Sequence, residues 1–356
     1  MVNAGPAPTP RELQCANQLT GSMLAATGRL FAEHTTTEET EASLNVLLAN
    51  VFNSYRDHFA KISWLDSTSR ADLIQKVDSI TTGLIQPPWT KMDTALNSFY
   101  FRLDLKPDDS IWTVMLKMNS FQLQFLTDSL VKPYTRADFI EALPLTVVNA
   151  FYIWFLNSFT VLAGILQPPI YREDYPWSHK FGGVGTFMGH EIGHGFDVQG
   201  VHYTWDGSQI DVLTPDAQAK LRSQFDCLAN QFDQYCYNDN LCVNGTQTLG
   251  ENGADNIGIK AAFDAFHMWQ NLHGTEEKIP GFENYTPDQM FFISYAQLYC
   301  SGYNIDGIKS IVKYDTHTPD NFRVNGALRN IQGFADAFGC KIGDYMNPAD
   351  RCIVWN

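Results

Sequence analysis

The stretch "TFMGHEIGHGFD", residues 186–197, contains two histidines four positions apart and a glutamate directly after the first. On a helix, His190 and His194 lie one turn apart on the same face, so both imidazoles can bind one metal ion. Glu191 projects about 100° round the helix from His190, where its carboxylate can contact a metal-bound water without binding the metal. The spacing therefore predicts a hydrolytic zinc site with Glu191 as general base.

A core helix that happens to contain histidine is the alternative interpretation. Gly189 and Gly193 each cost about 1 kcal/mol relative to alanine inside a helix, so a purely structural helix gains nothing from them. Glycine is favoured where another backbone or a ligand approaches closely. We therefore prefer the metal site, with solvated or core histidines as the alternative.

A reactive zinc site needs a third protein ligand and one position for water. A third histidine of the His-x-x-Gly-x-x-His pattern is absent, because His202 falls at the wrong step. The segment "GENGAD" supplies Glu251 and, one helical turn later, Asp255 on the same face, so one carboxylate can bind zinc while the other orients an imidazole. A solvated acidic helix start is the alternative, because a glutamate there also suits the helix dipole.

The chain has 356 residues, enough for one large domain or two ordinary ones. Helical spacing predicts several helices from Arg11 to about Thr82, and the mixed pattern from about Pro87 to Pro144 indicates a connection between two lobes. "LTVVNAFYIWF" predicts one or two strands. The histidine stretch, "LGENGADNIGIKAAFDAFHMWQ" and "DQMFFISYAQLYC" predict helices, so the fold class is mainly α with a small β-sheet.

The formal net charge of -15 disfavours nucleic acid and anionic membrane surfaces as partners. The most apolar window, residues 151–166, is shorter than the roughly 18 residues of a membrane span and contains polar residues, so we expect it in the core rather than inserted in a membrane. "MVNAGPAPTP" lacks the features of a signal peptide, and we expect the chain to begin at a processed or artificial boundary.

Seven cysteines lack the close paired spacing of a structural zinc site, so disulfides are favoured over thiolate ligands. They are Cys15, Cys227, Cys236, Cys242, Cys300, Cys340 and Cys352. Two glycosylation triplets, at Asn244 and Asn284, agree with a secretory route. The odd number of cysteines leaves at least one thiol without a partner in this chain.

Eight segments, in order, resemble the neprilysin and endothelin-converting-enzyme family of zinc metallopeptidases. They are "VVNAFY", "AGILQPP", "GGVGTFMGHEIGHGFD", "LGENGADN", "AQLYC", "DTHTPDNFRVNGALRN", "FADAFGC" and "MNPADRCIVW". The resemblance spans almost the whole chain and implies a thermolysin-like zincin catalytic domain at residues 111–356, preceded by a helical segment at residues 1–110. Since the family's extracellular part is about twice as long, the chain resembles its C-terminal half.

The resemblance implies one zinc ion per chain, bound by His190, His194 and Glu251, with Glu191 as the base and Asp255 holding a ligand histidine. Further supporting carboxylates are implied at Asp197 and Asp315. His317 matches the histidine that stabilises the oxyanion of the tetrahedral intermediate. From the residues alone, His317 is an ordinary loop histidine.

On the substrate side, Asn149 and Ala150 match the strand that binds the peptide backbone, and Arg323 resembles the arginine that fixes a substrate carbonyl. The hydrophobic pocket for the residue just after the scissile bond is implied at four positions, Ile165, Ile170, Phe187 and Tyr299. Composition alone would place these four in an ordinary core. The sequence departs from the family at Val198 and Ile257, which stand where the family has an acidic residue and a glycine.

The resemblance also implies a disulfide between Cys227 and Cys352, and Cys236 and Cys242 look like an additional local pair. It pairs the remaining three, Cys15, Cys300 and Cys340, with upstream cysteines that this sequence lacks.

The function expected from the resemblance is zinc-dependent endopeptidase action on short oligopeptides, with a large hydrophobic residue just after the scissile bond. We expect an extracellular or secretory location and, as a further partner, an N-terminal half of the same precursor. The alternative is a catalytically impaired fragment or binding protein that lacks the lid half. A purely structural zinc site is disfavoured, because such sites use four protein ligands, mostly cysteine.

Overall fold

The chain is mainly helical with one small sheet, which confirms the predicted fold class. The computed structural model describes residues 9–131, 144–238 and 240–355. The described helices are α1 (Arg11–Ser22), α2 (Leu24–Thr35), α3 (Glu38–Lys61), α4 (Ser67–Asp78), α5 (Asp93–Phe99), α6 (Ile111–Ser129), α7 (Trp177–Lys180), α8 (Thr186–Gly193), α9 (Pro215–Phe232), α10 (Leu249–His273), α11 (Pro287–Leu298), α12 (Ile305–Tyr314), α13 (Asp320–Leu328) and α14 (Gln332–Phe338). Strands β1 (Thr81–Ile85), β2 (Ala150–Ile153) and β3 (Ser158–Leu162) pair in the order β1-β3-β2.

Two compact units divide the chain. Unit 1 consists of Met1–Thr37, Gly83–Asn149 and Thr160–Ile165, and unit 2 of Glu38–Thr82, Ala150–Phe159 and Leu166–Asn356. The histidine stretch and Glu251 both belong to unit 2. Compact units need not follow domain boundaries, so the division predicted at residue 110 stays a prediction.

The predicted helices at residues 11–82 are present as α1 to α4, and "LTVVNAFYIWF" contains β2. Helix α6 lies in the stretch for which we predicted only a connection between lobes, and β1 was not predicted. The apolar window at residues 151–166 is core as expected, because Phe159, Val161 and Leu162 are fully buried. Among the described residues, none of the helices combines the length and apolarity needed to cross a membrane.

Helix α10 is the central element of unit 2 and packs against both α8 and α3. Its contact with α8 depends on glycine, since a Cβ atom at Gly189 would overlap the carbonyl of Gly258, and one at Gly258 would overlap the backbone of His190. The two backbones therefore touch directly. Tyr55 on α3 fixes the same point, because its hydroxyl donates to the Gly189 carbonyl at 2.7 Å.

The C-terminal segment is fastened to unit 2 by a buried tryptophan and a disulfide. The Trp355 indole is fully buried, and its Nε1 donates to the Phe196 carbonyl at 2.9 Å. The disulfides Cys227–Cys352 and Cys236–Cys242 are both present. The other three cysteines have no disulfide partner among the described residues.

Replacing Gly189 by alanine should push α8 and α10 apart, because the added methyl has no space against the Gly258 carbonyl. We expect Gly189→Ala to lower the free energy of unfolding by about 1–3 kcal/mol and to weaken zinc binding. Denaturant unfolding and a zinc competition titration measure both effects. Gly21→Ala is the control, because no atom lies within 4 Å of its added Cβ and alanine favours α1; equal stability of the two variants would refute the proposed role of the helix contact.

Candidate metal centre

Three potential ligand atoms converge where α8 and α10 meet. Nε2 of His190 lies 3.1 Å from Nε2 of His194. Oε2 of Glu251 lies 3.3 Å from the first nitrogen and 3.5 Å from the second. Among the described His, Cys, Asp and Glu side chains, these three come close enough together to hold one metal ion.

A carboxylate behind each imidazole fixes its orientation. Asp255 Oδ1 lies 2.8 Å from His190 Nδ1, and Asp197 Oδ2 lies 2.7 Å from His194 Nδ1. A carboxylate accepts hydrogen bonds, so each Nδ1 carries a proton, and in its neutral form each imidazole can present the lone pair of Nε2 to a shared metal ion. Oε2 of Glu251 is buried and has no aligned hydrogen-bond donor among the described residues.

The three atoms fit a zinc ion. Zinc lies about 2.0–2.2 Å from nitrogen and oxygen ligands in a tetrahedron, which places neighbouring ligand atoms about 3.3–3.5 Å apart. The observed separations of 3.1, 3.3 and 3.5 Å fall within a few tenths of this spacing. Two imidazoles and one carboxylate form a typical ligand set for a catalytic zinc site.

The charges around the cluster favour a cation at its centre. Burial raises the pKa of Glu251, but His190, His194 and His317 lower it by more, so that the pKa lies far below its usual range. Burial lowers the pKa of both ligand histidines, whereas the neighbouring carboxylates raise it by more. The cluster thus favours an added positive charge, and zinc must displace protons in order to bind.

Asp255 serves two partners at once. Its oxygens accept from Nε and Nη2 of Arg323 at 2.7 Å each, in addition to the contact with His190. Burial raises the pKa of Asp255, but Arg323 and His190 lower it well below its usual value. Arg323 also lies 4.9 Å over the Tyr299 ring. The buried arginine keeps Asp255 ionised and oriented towards the imidazole.

Asp197 is held by the turn that follows α8. Its Oδ1 accepts from the backbone amides of Gln199 and Gly200 at 2.8 and 2.7 Å, which leaves Oδ2 for His194. Lys76 is fully buried beneath this turn and donates to the carbonyls of Gly200 and Tyr203, at 2.6 Å each. Burial lowers the pKa of Lys76 to about 7, whereas Asp197 raises it.

Glu191 and His317 lie beside the cluster in different ways. Glu191 is buried on α8, and its carboxylate forms no hydrogen bond or ion pair with a described residue. His317 is half exposed, and its Nε2 lies 3.2 Å from Glu251 Oε2 while its Nδ1 contacts Asp315 at 2.8 Å. The largest effect on the pKa of His317 comes from Glu251, which raises it. Asp315 raises this pKa as well, whereas burial lowers it.

The predicted substrate residues are distributed over both units. Asn149 and Ile165 belong to unit 1. In unit 2, Ala150 begins β2, Ile170 and Phe187 are half-buried, and Tyr299 contacts Arg323. Their joint role in binding a peptide and lining a pocket stays a prediction.

Three supporting contacts were not predicted from the sequence. They are the ion pair between Arg323 and Asp255, the lysine beneath the turn and the hydrogen bond of Trp154 Nε1 to the His194 carbonyl at 3.0 Å. Arg323 and Lys76 carry no local spacing signal, since each lies more than 60 positions from its partner.

Replacing Asp255 by asparagine should weaken zinc binding about 10- to 100-fold, because a neutral amide oxygen accepts more weakly from His190 Nδ1 and Arg323 loses its counter-ion and the acceptor of its Nε. A competition titration with a fluorescent chelator measures the affinity. Asp315→Asn is the control, since Asp315 contacts His317 rather than a predicted ligand. Unchanged affinity in Asp255→Asn would contradict the role assigned to this carboxylate.

Known proteins that are similar to this chain belong to one peptidase family. The sequence profile of peptidase family M13 matches residues 149–354, and a second profile with the same description matches residues 2–87. Neprilysin-1 of Trittame loki is 32% identical over 350 residues, which cover 97% of this chain and 48% of that protein. Human neprilysin is 31% identical over 345 residues, which cover 96% and 46%.

Among solved structures, the Mycobacterium tuberculosis zinc metalloprotease Zmp1 in complex with an inhibitor has a TM-score of 0.82 at 26% identity, covering 98% of this chain and 51% of its own. The chain spans about half the length of these relatives. Because the first profile matches more than half of the sequence, the chain belongs to peptidase family M13.

Proposed function

We propose that this protein is a zinc-dependent endopeptidase that hydrolyses short oligopeptides. One observation carries the proposal: His190, His194 and Glu251 present three ligand atoms at zinc spacing, and the unpaired carboxylate of Glu191 lies on the same helix as both histidines. Three protein ligands leave one position for water, as in hydrolytic zinc sites. A structural site would fill all four positions with protein ligands.

The chemistry divides among the residues of the cluster. Zinc, when bound, lowers the pKa of a water molecule and polarises a carbonyl group. Glu191 accepts the proton of the attacking water and returns it to the leaving amine. His317 stabilises the negative charge that develops on the substrate oxygen. Asp255 and Asp197 keep the ligand imidazoles oriented throughout.

Arg323 is proposed to fix a substrate carbonyl. Nε and Nη2 are engaged by Asp255, whereas Nη1 has no hydrogen bond to a described residue and can donate to a peptide. Of the four side chains implied for a hydrophobic pocket, Ile170, Phe187 and Tyr299 lie in unit 2, and we propose that they contact a large hydrophobic residue of the peptide. Asn149 and Ala150 are proposed to bind the peptide as an added strand at the start of β2.

A secretory or extracellular location is part of the proposal. Two disulfides are typical of proteins from oxidising compartments. Asn244 and Asn284 are both exposed, as glycosylation requires.

We further propose that an N-terminal M13 half covers the apolar face of α6. Positions 112, 116, 119, 123, 126 and 130, on this helix and just after it, follow one another at alternating steps of four and three residues. Position 119 is an exposed asparagine, and the other five positions carry large apolar side chains: Trp112, Leu116, Leu123, Leu126 and Leu130. Each is at least 60% exposed. This spacing is typical of a seam that packs against another helix. The chain spans about half the length of its relatives, and the part of the family's length that it does not match is the partner that we propose.

Replacing Glu191 by glutamine should retain zinc and abolish turnover, because the amide cannot accept the proton of water. A quenched peptide with Phe or Leu after the scissile bond, assayed with and without a zinc chelator, measures activity. We expect chelator-sensitive cleavage by the natural chain and at least a 100-fold loss in Glu191→Gln. Asp57→Asn, which changes an exposed carboxylate on α3, is the matched control.

The second candidate function is that of a binding protein or a catalytically impaired fragment of the same family. Bound zinc without any chelator-sensitive cleavage would support it. Full activity of Glu191→Gln would instead reject the assignment of the base.

The partner proposal predicts that the double variant Leu116→Gln, Leu123→Gln weakens binding of an N-terminal M13 half at least tenfold, because the seam loses apolar area. The chain is coexpressed with the helical M13 half encoded by the same or a neighbouring transcript, and copurification is measured. Leu272→Gln is the control, since Leu272 is 80% exposed but lies at the end of α10. Equal binding by the natural chain, the double variant and Leu272→Gln would reject the α6 face as the interface.

A further inference from the structure

His317 has an exposed side chain, whereas the next residue in the chain, Thr318, is fully buried. The side chain of His317 is 46% exposed, whereas Thr318 is only 1% exposed. The Thr318 hydroxyl donates to Oδ1 of Asn252 at 2.7 Å. Asn252 directly follows Glu251 in the first turn of α10 and is itself fully buried. One turn of helix therefore carries both a predicted zinc ligand and an anchor for the segment that bears His317.

The orientation of the Asn252 amide is fixed by its other partner. Nδ2 donates to Oγ1 of Thr248 at 2.8 Å. Thr248 cannot donate in return, because its hydroxyl proton is used by the Asn244 carbonyl at 3.0 Å. Oδ1 of Asn252 therefore points to Thr318, whose hydroxyl is its donor.

A second contact holds the other side of His317. Nε2 of Gln247 donates to the backbone carbonyl of Asp315 at 2.7 Å. The Asp315 carboxylate in turn accepts from the backbone amide of His317 at 2.9 Å and contacts its Nδ1. Residues 315–318 are thus tied to the start of α10 both before and after the imidazole.

We propose that Asn252 and Thr318 are positioning residues that hold the His317 imidazole beside Glu251. The anchor lies one residue from Glu251 on the helix and one residue from His317 on the segment, so it determines the 3.2 Å separation between Nε2 of His317 and Oε2 of Glu251. It acts on the oxyanion-stabilising group and leaves the two histidine ligands in place, because Asp255, Asp197 and α8 position those independently. Its catalytic consequence rests on the proposed peptidase function.

The test compares Thr318→Val with Thr318→Ser. Valine has the shape of threonine but no hydroxyl, so it releases the segment, whereas serine keeps the donor. Amide hydrogen exchange of the metal-free chain is the first readout, and we expect the backbone amide of His317 to exchange about tenfold faster in Thr318→Val than in the natural chain or Thr318→Ser.

Kinetics with the quenched peptide provide the second readout. A misplaced imidazole should lower kcat about tenfold to hundredfold in Thr318→Val, with KM and zinc affinity within about threefold of the natural chain. Thr318→Ser should restore kcat. A larger KM with unchanged kcat would overturn the positioning role.

The two readouts separate the two proposals. A chain without peptidase activity would refute the proposed function, while hydrogen exchange would still decide whether Thr318 anchors the segment. Unchanged exchange at His317 in Thr318→Val would overturn the anchor itself. Faster exchange with unchanged kcat would show that the anchor has no role in positioning for catalysis.

Discussion

The direct backbone contact between α8 and α10 is the constraint on which the rest of the centre depends. Gly189 and Gly258 meet with no side chain between them, so the two helices approach more closely than larger residues allow. This approach brings Glu251, which is more than 50 positions from the histidines, to within 3.5 Å of both imidazoles. Glycine costs free energy inside a helix relative to alanine, but here it permits the close helix contact that assembles the three ligand atoms.

Charge balance around this contact extends well beyond the ligands. Asp255 is buried between an imidazole and the Arg323 guanidinium, and Asp197 is held by two backbone amides near the buried Lys76. Each of these two buried carboxylates thus has its own donors, which avoids the large cost of an unpaired buried charge. The ligands are consequently oriented before any metal binds, and less free energy is needed to arrange them.

The sequence predicted what is encoded locally and missed what depends on the tertiary fold. The spacing of His190 and His194 is a property of one helix turn, so it could be recognised without coordinates. Glu251 as the third ligand was open from its residues alone and became specific only through the family resemblance. Helix α6 was missed because its exposed face is apolar. Its sequence therefore lacks the alternation of apolar and polar faces by which a surface helix is recognised. The anchor between Asn252 and Thr318 joins residues 66 positions apart and leaves no local trace.

The contacts of Tyr55 and Lys76 make the histidine-bearing helix α8 and the turn after it dependent on a distant part of the chain. Both residues lie within the match at residues 2–87, yet they donate to carbonyls at Gly189, Gly200 and Tyr203, inside the match at residues 149–354. Homology borders and folding units therefore do not coincide in this protein. A hybrid that joins two relatives between the matched regions would take these hydrogen-bond donors from one protein and their acceptors from the other. Any mismatch between them would then disturb the helix and the turn that carry the two histidines.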